Sequence, residues 1–293
     1  MQQRARRYRR GMDPVRIGLK LSQQHTDIAE LRAIWQIADQ GDFDHLWNFD
    51  HFAAIIGDPG RDVLEGWTLL GAMAEATSRV RIGCMVTGNT YRHPAVLAKM
   101  AVTIDQLSGG RLELGIGAAW AELEHDMLGI DFGTAGRRVE WLDESCQVMK
   151  LLFTQERTTF EGARYALRDA IANPKPVQKP YPPFWIGGRG ERKTLRVIAR
   201  HADVWNAPGG EPDEVARLAG ILDAHCADVG RDPAEIRRSV QVRYAGDDDA
   251  LLRSAEAFLE RNVRDLLVTV APGEARAHAE SVAQLVPRLR ALG

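Results

Sequence analysis

Short apolar runs alternate along the chain with longer amphipathic segments. Val15–Leu21 predicts a strand, and Asp27–Gln40 predicts a helix because its apolar residues recur at intervals of three and four. Gly41 then ends this helix. The same pattern of a strand followed by a helix repeats through the rest of the chain.

The repeats supply eight predicted strands and the helices that connect them. The predicted strands are Val15–Leu21, His45–Asn48, Val80–Val86, Arg111–Ile116, Phe184–Ile186, Ala202–Trp205, Arg238–Tyr244 and Leu266–Val270. The predicted helices are Asp27–Gln40, Asp62–Thr77, Pro94–Leu107, Ala121–Leu128, Gly136–Phe153, one that runs through Ala199, Asp213–Val229, one that runs to Asn262, and Gly273–Leu292.

This alternation decides the fold class. Strands separated by helices favour a parallel sheet, and eight such units favour closure into a (β/α)₈ TIM barrel over an open doubly wound sheet. The regular pattern breaks after strand four and before strand five. There Thr158–Tyr165 predicts a hairpin and Asn173–Pro183 an extended, proline-rich connection. We interpret these segments as insertions within a single domain, residues 12–293.

Composition and charge narrow the range of partners. Hydrophobic residues make up 45% and charged residues 27% of the 293 residues, as in ordinary globular proteins. No segment approaches the roughly 18 uninterrupted apolar residues that a membrane span needs. The net charge of -2, with the two signs interspersed, provides no basic face for nucleic acid. We therefore expect a soluble protein whose partner is a small molecule, with no nucleic-acid or membrane partner.

The amino terminus and the cysteines bear on processing and location. The basic run Arg4–Arg10 lacks the apolar segment of a secretory signal, so residues 1–11 are predicted to form a disordered leader, with Met12 as an alternative start. The three cysteines are widely spaced and odd in number, which fits neither a disulfide framework nor a zinc site. The expected compartment is the reducing cytoplasm.

Candidate catalytic residues follow strand two. In a (β/α)₈ barrel the loops after the strand C-termini build the active site. Asp50 and His51 place a carboxylate beside an imidazole, which can exchange a proton near neutral pH. The alternative is that the pair braces its loop or caps a helix.

Two later loops suit a flat ligand. After strand three, Thr87 and Asn89 combine a hydroxyl and an amide in a loop that can line a heteroaromatic ring, although an ordinary loop that caps the next helix has the same composition. After strand four, Ala118 and Ala119 let a ligand approach the backbone, and Trp120 offers an aromatic wall.

Other features near strand four have simpler interpretations. Gly115-Ile116-Gly117 does not make a dinucleotide-binding fingerprint, because the third glycine is missing and the segment follows the fourth strand. The polar stretch Glu122–Asp126 superficially suggests metal ligands. On a helix its residues fan out around the surface, so a solvated face is expected and no metal site is predicted.

A candidate phosphate site follows strand five. Gly187, Gly188 and Arg189 precede a helix, and backbone N–H groups of a glycine turn at a helix N-terminus form a compact positive site. The alternative is a glycine turn without a ligand.

Several segments resemble, in order and spacing, the luciferase-like F420-dependent oxidoreductases. They are Gly41–Trp47 with Asp50–Phe52, Arg81–Gly83, Arg92–Ala98, Asp105–Arg111 with Gly115–Gly117, Pro183–Gly188 and Ala202–Asn206. The resemblance runs from about Val15 to Asn206. It implies a bacterial luciferase-like TIM barrel that holds coenzyme F420 at its C-terminal mouth and exchanges a hydride between C5 of the deazaflavin and a small organic substrate.

The resemblance also assigns roles to residues. Asp50 and His51 would flank the ring, with His51 as the acid, base or hydrogen-bonding group. Met85 and Val86 lie where family members carry a non-prolyl cis peptide behind the ring. The other residues assigned to the cofactor are Thr87, Asn89, Ala118, Ala119, Trp120, Gly187, Gly188 and Arg189.

One departure from the family concerns Trp120. The related sugar-phosphate dehydrogenases have an acidic residue shortly after the strand-four glycines, and here the position holds a tryptophan. This argues against a carboxylate general acid and against a sugar-phosphate substrate. An apolar or flat substrate is expected instead, against Trp47, Phe52 and Trp120.

Two other functions remain open from the sequence. The same barrel also serves FMN-dependent monooxygenases, although basic residues such as Arg92, Arg189 and Lys193 suit the oligoglutamate tail of F420. A second alternative is a non-catalytic F420-binding protein. A metal-dependent hydrolase is not favoured, because the sequence lacks the required ligands at several strand ends.

The oligomeric state rests on apolar residues of one predicted helix. The apolar Val96, Leu97 and Met100 fit either the barrel core or a homodimer interface, and we expect a homodimer.

Overall fold

The computed structural model describes residues 14–293, so the predicted leader and the question of the start at Met12 lie outside the described residues. The strands are β1 (Arg16–Lys20), β2 (His45–Asn48), β3 (Arg81–Cys84), β4 (Thr87–Gly88), β5 (Leu112–Gly117), β6 (Thr158–Glu161), β7 (Ala166–Ala170), β8 (Phe184–Gly187), β9 (Val204–Ala207), β10 (Arg237–Tyr244) and β11 (Asp265–Val270). The helices are α1 (Ile28–Gln40), α2 (Gly66–Ala76), α3 (Pro94–Leu107), α4 (Glu122–Leu128), α5 (Ala135–Thr154), α6 (Thr194–His201), α7 (Pro212–Asp228), α8 (Asp248–Glu260) and α9 (Ala275–Arg290).

Eight parallel strands close into a ring, which confirms the predicted TIM barrel. Their order is β3, β2, β1, β11, β10, β9, β8 and β5, and pairing of β3 with β5 closes the ring. The closing pair is short, with Ile82 opposite Leu112 and Gly83 opposite Glu113, whereas β10 and β11 pair over six positions. The short β4 joins the C-terminal end of β5.

The insertions lie where the sequence predicted them. Helices α4 and α5 and the antiparallel pair β6–β7 stand between β5 and β8, the fourth and fifth barrel strands. The hairpin extends further than Thr158–Tyr165, because its second strand begins only at Ala166. Helix α2 begins later than predicted, at Gly66. The Glu65 carboxylate caps it by accepting the backbone N–H groups of Trp67 and Thr68.

The barrel interior holds large rings that glycines accommodate. Trp47 and Trp185 pack edge to face with their centroids 4.7 Å apart. A Cβ on Gly83 would lie 2.3 Å from the Trp47 ring, so only glycine fits there. Trp47 is fully buried and donates to Nδ1 of His45 at 2.6 Å. The expectation that Trp47 walls the substrate is therefore wrong, because strand alternation turns its side chain into the barrel interior.

Polar groups fill the amino-terminal end of the interior. His45 Nε2 lies 2.8 Å from a carboxylate oxygen of Asp265, and Trp185 Nε1 donates to Glu113 at 2.6 Å. Arg81 pairs with the same Glu113 carboxylate. These buried groups bond one another at the amino-terminal end, whereas the active site of a (β/α)₈ barrel lies at the opposite, carboxyl-terminal end.

Candidate active site

The loops after β2, β3, β5 and β8 converge at the carboxyl-terminal mouth. The His51 ring lies edge to face with the Trp120 ring, with the centroids 5.5 Å apart. The Asp50 carboxylate accepts the N–H of Gly88 at 3.0 Å. A Cβ on Gly187 would lie 3.3 Å from the Val86 side chain. Most of the predicted site residues thus come together at one place.

His51 is held by a glutamate that the sequence reasoning did not select. Its Nδ1 lies 3.0 Å from Oε2 of Glu124. The Glu124 carboxylate also accepts the N–H groups of Phe52 at 2.8 Å and Ala53 at 2.9 Å and the hydroxyl of Tyr91. Burial raises the pKa of Glu124, but the hydrogen bonds from His51, Tyr91 and Ala53 outweigh it and hold the pKa below its usual value. Glu124 is therefore an ionised acceptor for the imidazole.

The expected solvated face at Glu122–Asp126 is wrong for two of its residues. Glu124 is only 2% exposed and His125 is fully buried, where its ring nitrogens contact the hydroxyl of Thr90 at 2.6 Å and the carbonyl of Ala121 at 2.7 Å. Helix α4 instead exposes apolar Leu123 and Met127, at 50% and 59%. The spacing of three and four that joins Trp120, Leu123 and Met127 was the signal that its polar face points inward.

Asp50 is buried, and both of its carboxylate oxygens accept hydrogen bonds. Its two oxygens accept two hydrogen bonds from Arg92, at 2.6 and 2.9 Å. Arg92 also pairs with Glu65 at the start of α2. Burial raises the pKa of Asp50, and the Arg92 guanidinium opposes this rise. Asp50 thus ties the β2 loop to the β3 loop, which favours a bracing role over direct contact with a substrate.

The predicted ring-lining residues after β3 differ in their accessibility. The Met85–Val86 peptide is cis, and Val86 is half-buried at the mouth. Thr87 is fully buried and its hydroxyl accepts the indole N–H of Trp67 at 3.1 Å, so it lies behind the surface. Asn89 donates its backbone N–H to Gly117, and its side-chain Nδ2 is buried without a hydrogen-bond partner within residues 14–293.

Small residues and a tryptophan follow β5. Ala118 and Ala119 are half-buried, and Ala119 has a positive φ of 63° that turns the chain toward α4. Trp120 is 65% exposed beside His51. This segment therefore places small, half-buried residues beside one exposed aromatic ring at the mouth.

The glycine turn after β8 meets a second glycine turn after β9. Arg189 is exposed, lies 3.9 Å from Glu214, and approaches within 3.5 Å of the position that a Cβ on Gly210 would occupy. Gly209 and Gly210 both have positive φ, a backbone conformation that favours glycine. The sequence reasoning missed this second turn, although its Gly-Gly pair follows a barrel strand just as Gly187-Gly188 does.

Two classes of feature are absent from residues 14–293. None of the helices described there is long and apolar enough to cross a membrane. Within the same range, no group of three or more His, Cys, Asp or Glu side chains is placed to hold a metal ion.

Comparisons with known proteins agree with this geometry. A family profile described as "Luciferase-like monooxygenase" matches residues 11–289. An F420-dependent glucose-6-phosphate dehydrogenase from Microbacterium testaceum is 32% identical over 244 residues, which cover 82% of this chain and 71% of that protein. An F420-dependent secondary alcohol dehydrogenase, solved with an F420–acetone adduct, superposes with a TM-score of 0.86 at 17% identity, over 94% of this chain and 99% of that one. A coenzyme F420-dependent tetrahydromethanopterin reductase from Methanopyrus kandleri gives a TM-score of 0.81 at 17% identity, over 94% and 99% of the two chains.

Proposed function

The chain belongs to the luciferase-like monooxygenase family, and we propose that it is an F420-dependent oxidoreductase that exchanges a hydride with a small organic substrate. The observation that carries the proposal is the His51–Glu124 pair at the mouth, beside a bed of small residues. The dependence on F420 is supported by the 32% identical dehydrogenase, which spans most of this chain.

The residues present fit the coenzyme. The half-buried Val86 and the small Ala118 and Ala119 leave room for a flat ring. The buried Nδ2 of Asn89 lacks a partner within the described residues, and a ring carbonyl would satisfy this donor. When bound, the deazaflavin supplies the carbon that accepts or delivers the hydride.

The glycine turns fit the charged part of the coenzyme. The turn at Gly187-Gly188 precedes α6, and backbone N–H groups at a helix start attract a phosphate. Arg189 reaches from this turn toward Gly210 and adds a cation. We assign the phosphate to these residues, with the anionic tail running outward over Arg189.

His51 moves the proton that accompanies the hydride. Because ionised Glu124 only accepts hydrogen bonds, the neutral imidazole carries its proton on Nδ1 and leaves Nε2 free. Nε2 then takes the proton of a substrate hydroxyl during oxidation and returns it during reduction. Glu124 stabilises the imidazolium and fixes the tautomer, as the carboxylate does in a catalytic triad.

The proton therefore does not come from a carboxylic acid. Because its pKa is lowered, the Glu124 carboxylate is ionised and can only accept hydrogen bonds. Trp120 and Phe52 line the mouth with apolar surface, so we propose a substrate with a flat or apolar body and do not assign a sugar phosphate.

Binding of F420 and FMN to the purified protein, followed by fluorescence, tests the cofactor. Tight binding of F420 with negligible binding of FMN is expected, and Arg189→Met should weaken F420 binding roughly tenfold through the loss of a charge-assisted hydrogen bond. Lys99→Met, a change on the outer helix α3, is the matched control. A preference for FMN would replace the proposal by an oxygen-using monooxygenase.

Turnover tests the catalytic assignment separately. With reduced F420 and a panel of ketones, the parent protein should oxidise the coenzyme and His51→Ala should not, while both bind F420. Binding of F420 by the parent protein without turnover on any acceptor would favour a carrier protein.

We also propose a cytoplasmic homodimer. Val96 on α3 is 54% exposed, whereas Leu97 is buried in the core. An exposed branched apolar residue on an outer helix suits a contact between two copies. Sedimentation of the parent protein should give a dimer, and Val96→Glu should give a monomer; a monomeric parent protein would contradict the assignment.

A further inference from the structure

Lys20 is a cation at the base of the carboxyl-terminal mouth that the proposed mechanism does not use. It is the last residue of β1, and in the strand register it stands beside Trp47 of β2 and Thr269 of β11. Because alternate strand residues face the same side, Lys20 shares the inward side with Trp47. Its side chain is half-buried, so part of it remains accessible from the mouth.

The partner of Lys20 is an amide where a carboxylate would be ordinary. Nζ donates to Oε1 of Gln241 at 2.8 Å. Gln241 in turn donates to Asn206 at 2.9 Å, and Asn206 donates to Ser239 at 3.0 Å. This chain of neutral groups orients the ammonium group but supplies no negative charge. Within residues 14–293, Gln241 is the hydrogen-bond partner of the Lys20 ammonium.

Burial without a carboxylate has a cost for the charged form. Desolvation lowers the pKa of Lys20 to about 8, and the nearby Cys84 thiol opposes this only in part. Buried lysines are ordinarily paired with an anion. Here the structure leaves that anion to come from outside the chain.

The position of Lys20 separates it from the proposed phosphate site. In the closed circle of barrel strands, β1 stands four strands away from β8, so Lys20 and the Gly187-Gly188 turn lie on opposite sides of the barrel. The bed formed by Val86, Ala118 and Ala119 belongs to the β3–β5 side. Lys20 therefore lies across the barrel from the residues to which we assign the phosphate.

We propose that Lys20 forms a carboxylate-binding subsite at the base of the carboxyl-terminal mouth, so that the substrate is a small organic acid whose carboxylate pairs with the Lys20 ammonium and whose body lies toward Trp120. Gln241 accepts a hydrogen bond from the Lys20 ammonium and holds it in place. Arg243 of β10 is exposed and shares the register partner Thr269 with Lys20, so a second cation stands on this side of the mouth and favours an anionic group on the substrate. The inference rests on the proposed function only in treating the bound acid as the substrate.

Benzoate serves as the probe, because it joins a carboxylate to a flat apolar body, and benzyl alcohol is its neutral counterpart. Both are titrated into the cofactor-free protein with lysine side chains labelled with ¹⁵N, and the Nζ signal of Lys20 is identified by its loss in Lys20→Met. Benzoate should raise the pKa of Lys20 above 8, and benzyl alcohol should leave it unchanged.

Variants supply the second readout. Lys20→Met should weaken benzoate binding roughly 10- to 100-fold, the loss expected for a hydrogen bond between charged groups, and should leave benzyl alcohol binding unchanged. Lys20→Arg should restore part of the benzoate affinity. Lys99→Met on the outer helix α3 is the matched control and should bind benzoate as the parent protein does.

The pH dependence identifies Lys20 among the other charged groups at the mouth. Lys20 is charged below its pKa, so benzoate affinity should persist below about pH 8 and fall as the pH rises through this value. The charged and titratable groups on the elements around it are Cys84 on β3, the Asp50–Arg92 pair near Cys84, and Arg243 on β10, which shares the register partner Thr269. They remain in Lys20→Met, so the fall near pH 8 should disappear in that variant alone.

Three outcomes overturn the inference. They are equal binding of benzoate and benzyl alcohol, a pKa of Lys20 that benzoate leaves unchanged, and a response to inorganic phosphate in place of benzoate. The measurement on the parent protein holds even if Lys20→Met fails to fold. Since no F420 is present, failure here is distinct from failure of the proposed cofactor.

Discussion

Replacing Glu124 by glutamine tests the role of this residue with almost no change in shape. One oxygen of the amide can still accept the N–H groups of Phe52 and Ala53, which lie 2.8 and 2.9 Å from Oε1. The amide NH₂ then replaces Oε2, which faces Nδ1 of His51 and the hydroxyl of Tyr91. The new amide N–H then points at the N–H on Nδ1, and two donors cannot bond each other. The imidazole must therefore move its proton to Nε2.

The loss can be estimated from the bond that disappears. A hydrogen bond to a charged group contributes about 1.5–3 kcal/mol, and each 1.36 kcal/mol of barrier is tenfold in rate. We therefore expect Glu124→Gln to lower kcat roughly 10- to 100-fold. The Kd for F420 should change less than the rate, because the hydrogen bonds of Glu124 go to His51, Tyr91 and the β2 loop.

The assay is steady-state oxidation of reduced F420, with F420 affinity measured in parallel by fluorescence. Glu122→Gln is the control, since Glu122 lies on the same helix and is exposed. Thermal unfolding of both variants separates a catalytic loss from a folding loss. A kcat for Glu124→Gln within twofold of the control would refute the assigned role, because the tautomer of His51 would then not matter.

Three further predictions follow from single contacts. Asp50→Asn should lower the free energy of unfolding by about 3 kcal/mol in urea denaturation, because Arg92 loses a buried, doubly bonded partner. Gly117→Ala should weaken F420 binding, because the new Cβ would lie 2.7 Å from Val86 and push that side chain into the bed; Gly220→Ala, with no atom within 4 Å, should leave F420 binding unchanged. The glutamate that holds the imidazole has a pKa below its usual 4.5, so its contribution to stability should be complete above about pH 4.5 and be lost as the pH falls; urea denaturation at several pH values should show the difference between the parent protein and its glutamine variant shrinking in acid.

The fold could be predicted because barrel strands are short apolar runs that repeat. A strand such as Phe184–Gly187 is buried against the helices on one side and the barrel interior on the other, so its sequence is continuously apolar. The boundaries were harder to predict where a side chain competes with the periodic pattern. Glu65 caps α2 and delays its start, and nothing in the spacing of apolar residues indicates this.

The placement of a candidate residue at the mouth could be predicted where the residue closely follows a barrel strand, as His51 does. It was not predictable where the usual rule of polar residues outside is reversed. Helix α4 buries Glu124 against the mouth and exposes Leu123, so a rule based on solvated faces gave the wrong side. Lys20 was missed for a related reason, because the interior of a barrel mouth is polar and a strand pattern alone suggests that lysine faces solvent.

The short pairing of β3 with β5 has a consequence for local opening of the barrel. Two residue pairs join β3 to β5 and two more join β4 to β5, against six between β10 and β11, so parting this seam needs less free energy than parting β10 from β11. Amide hydrogens along the seam should exchange with deuterium before those of β10. Val86 lies between the two short pairings and Ala118 follows them, so a transient opening of the seam would widen the gap between these residues, where we propose that the flat coenzyme binds.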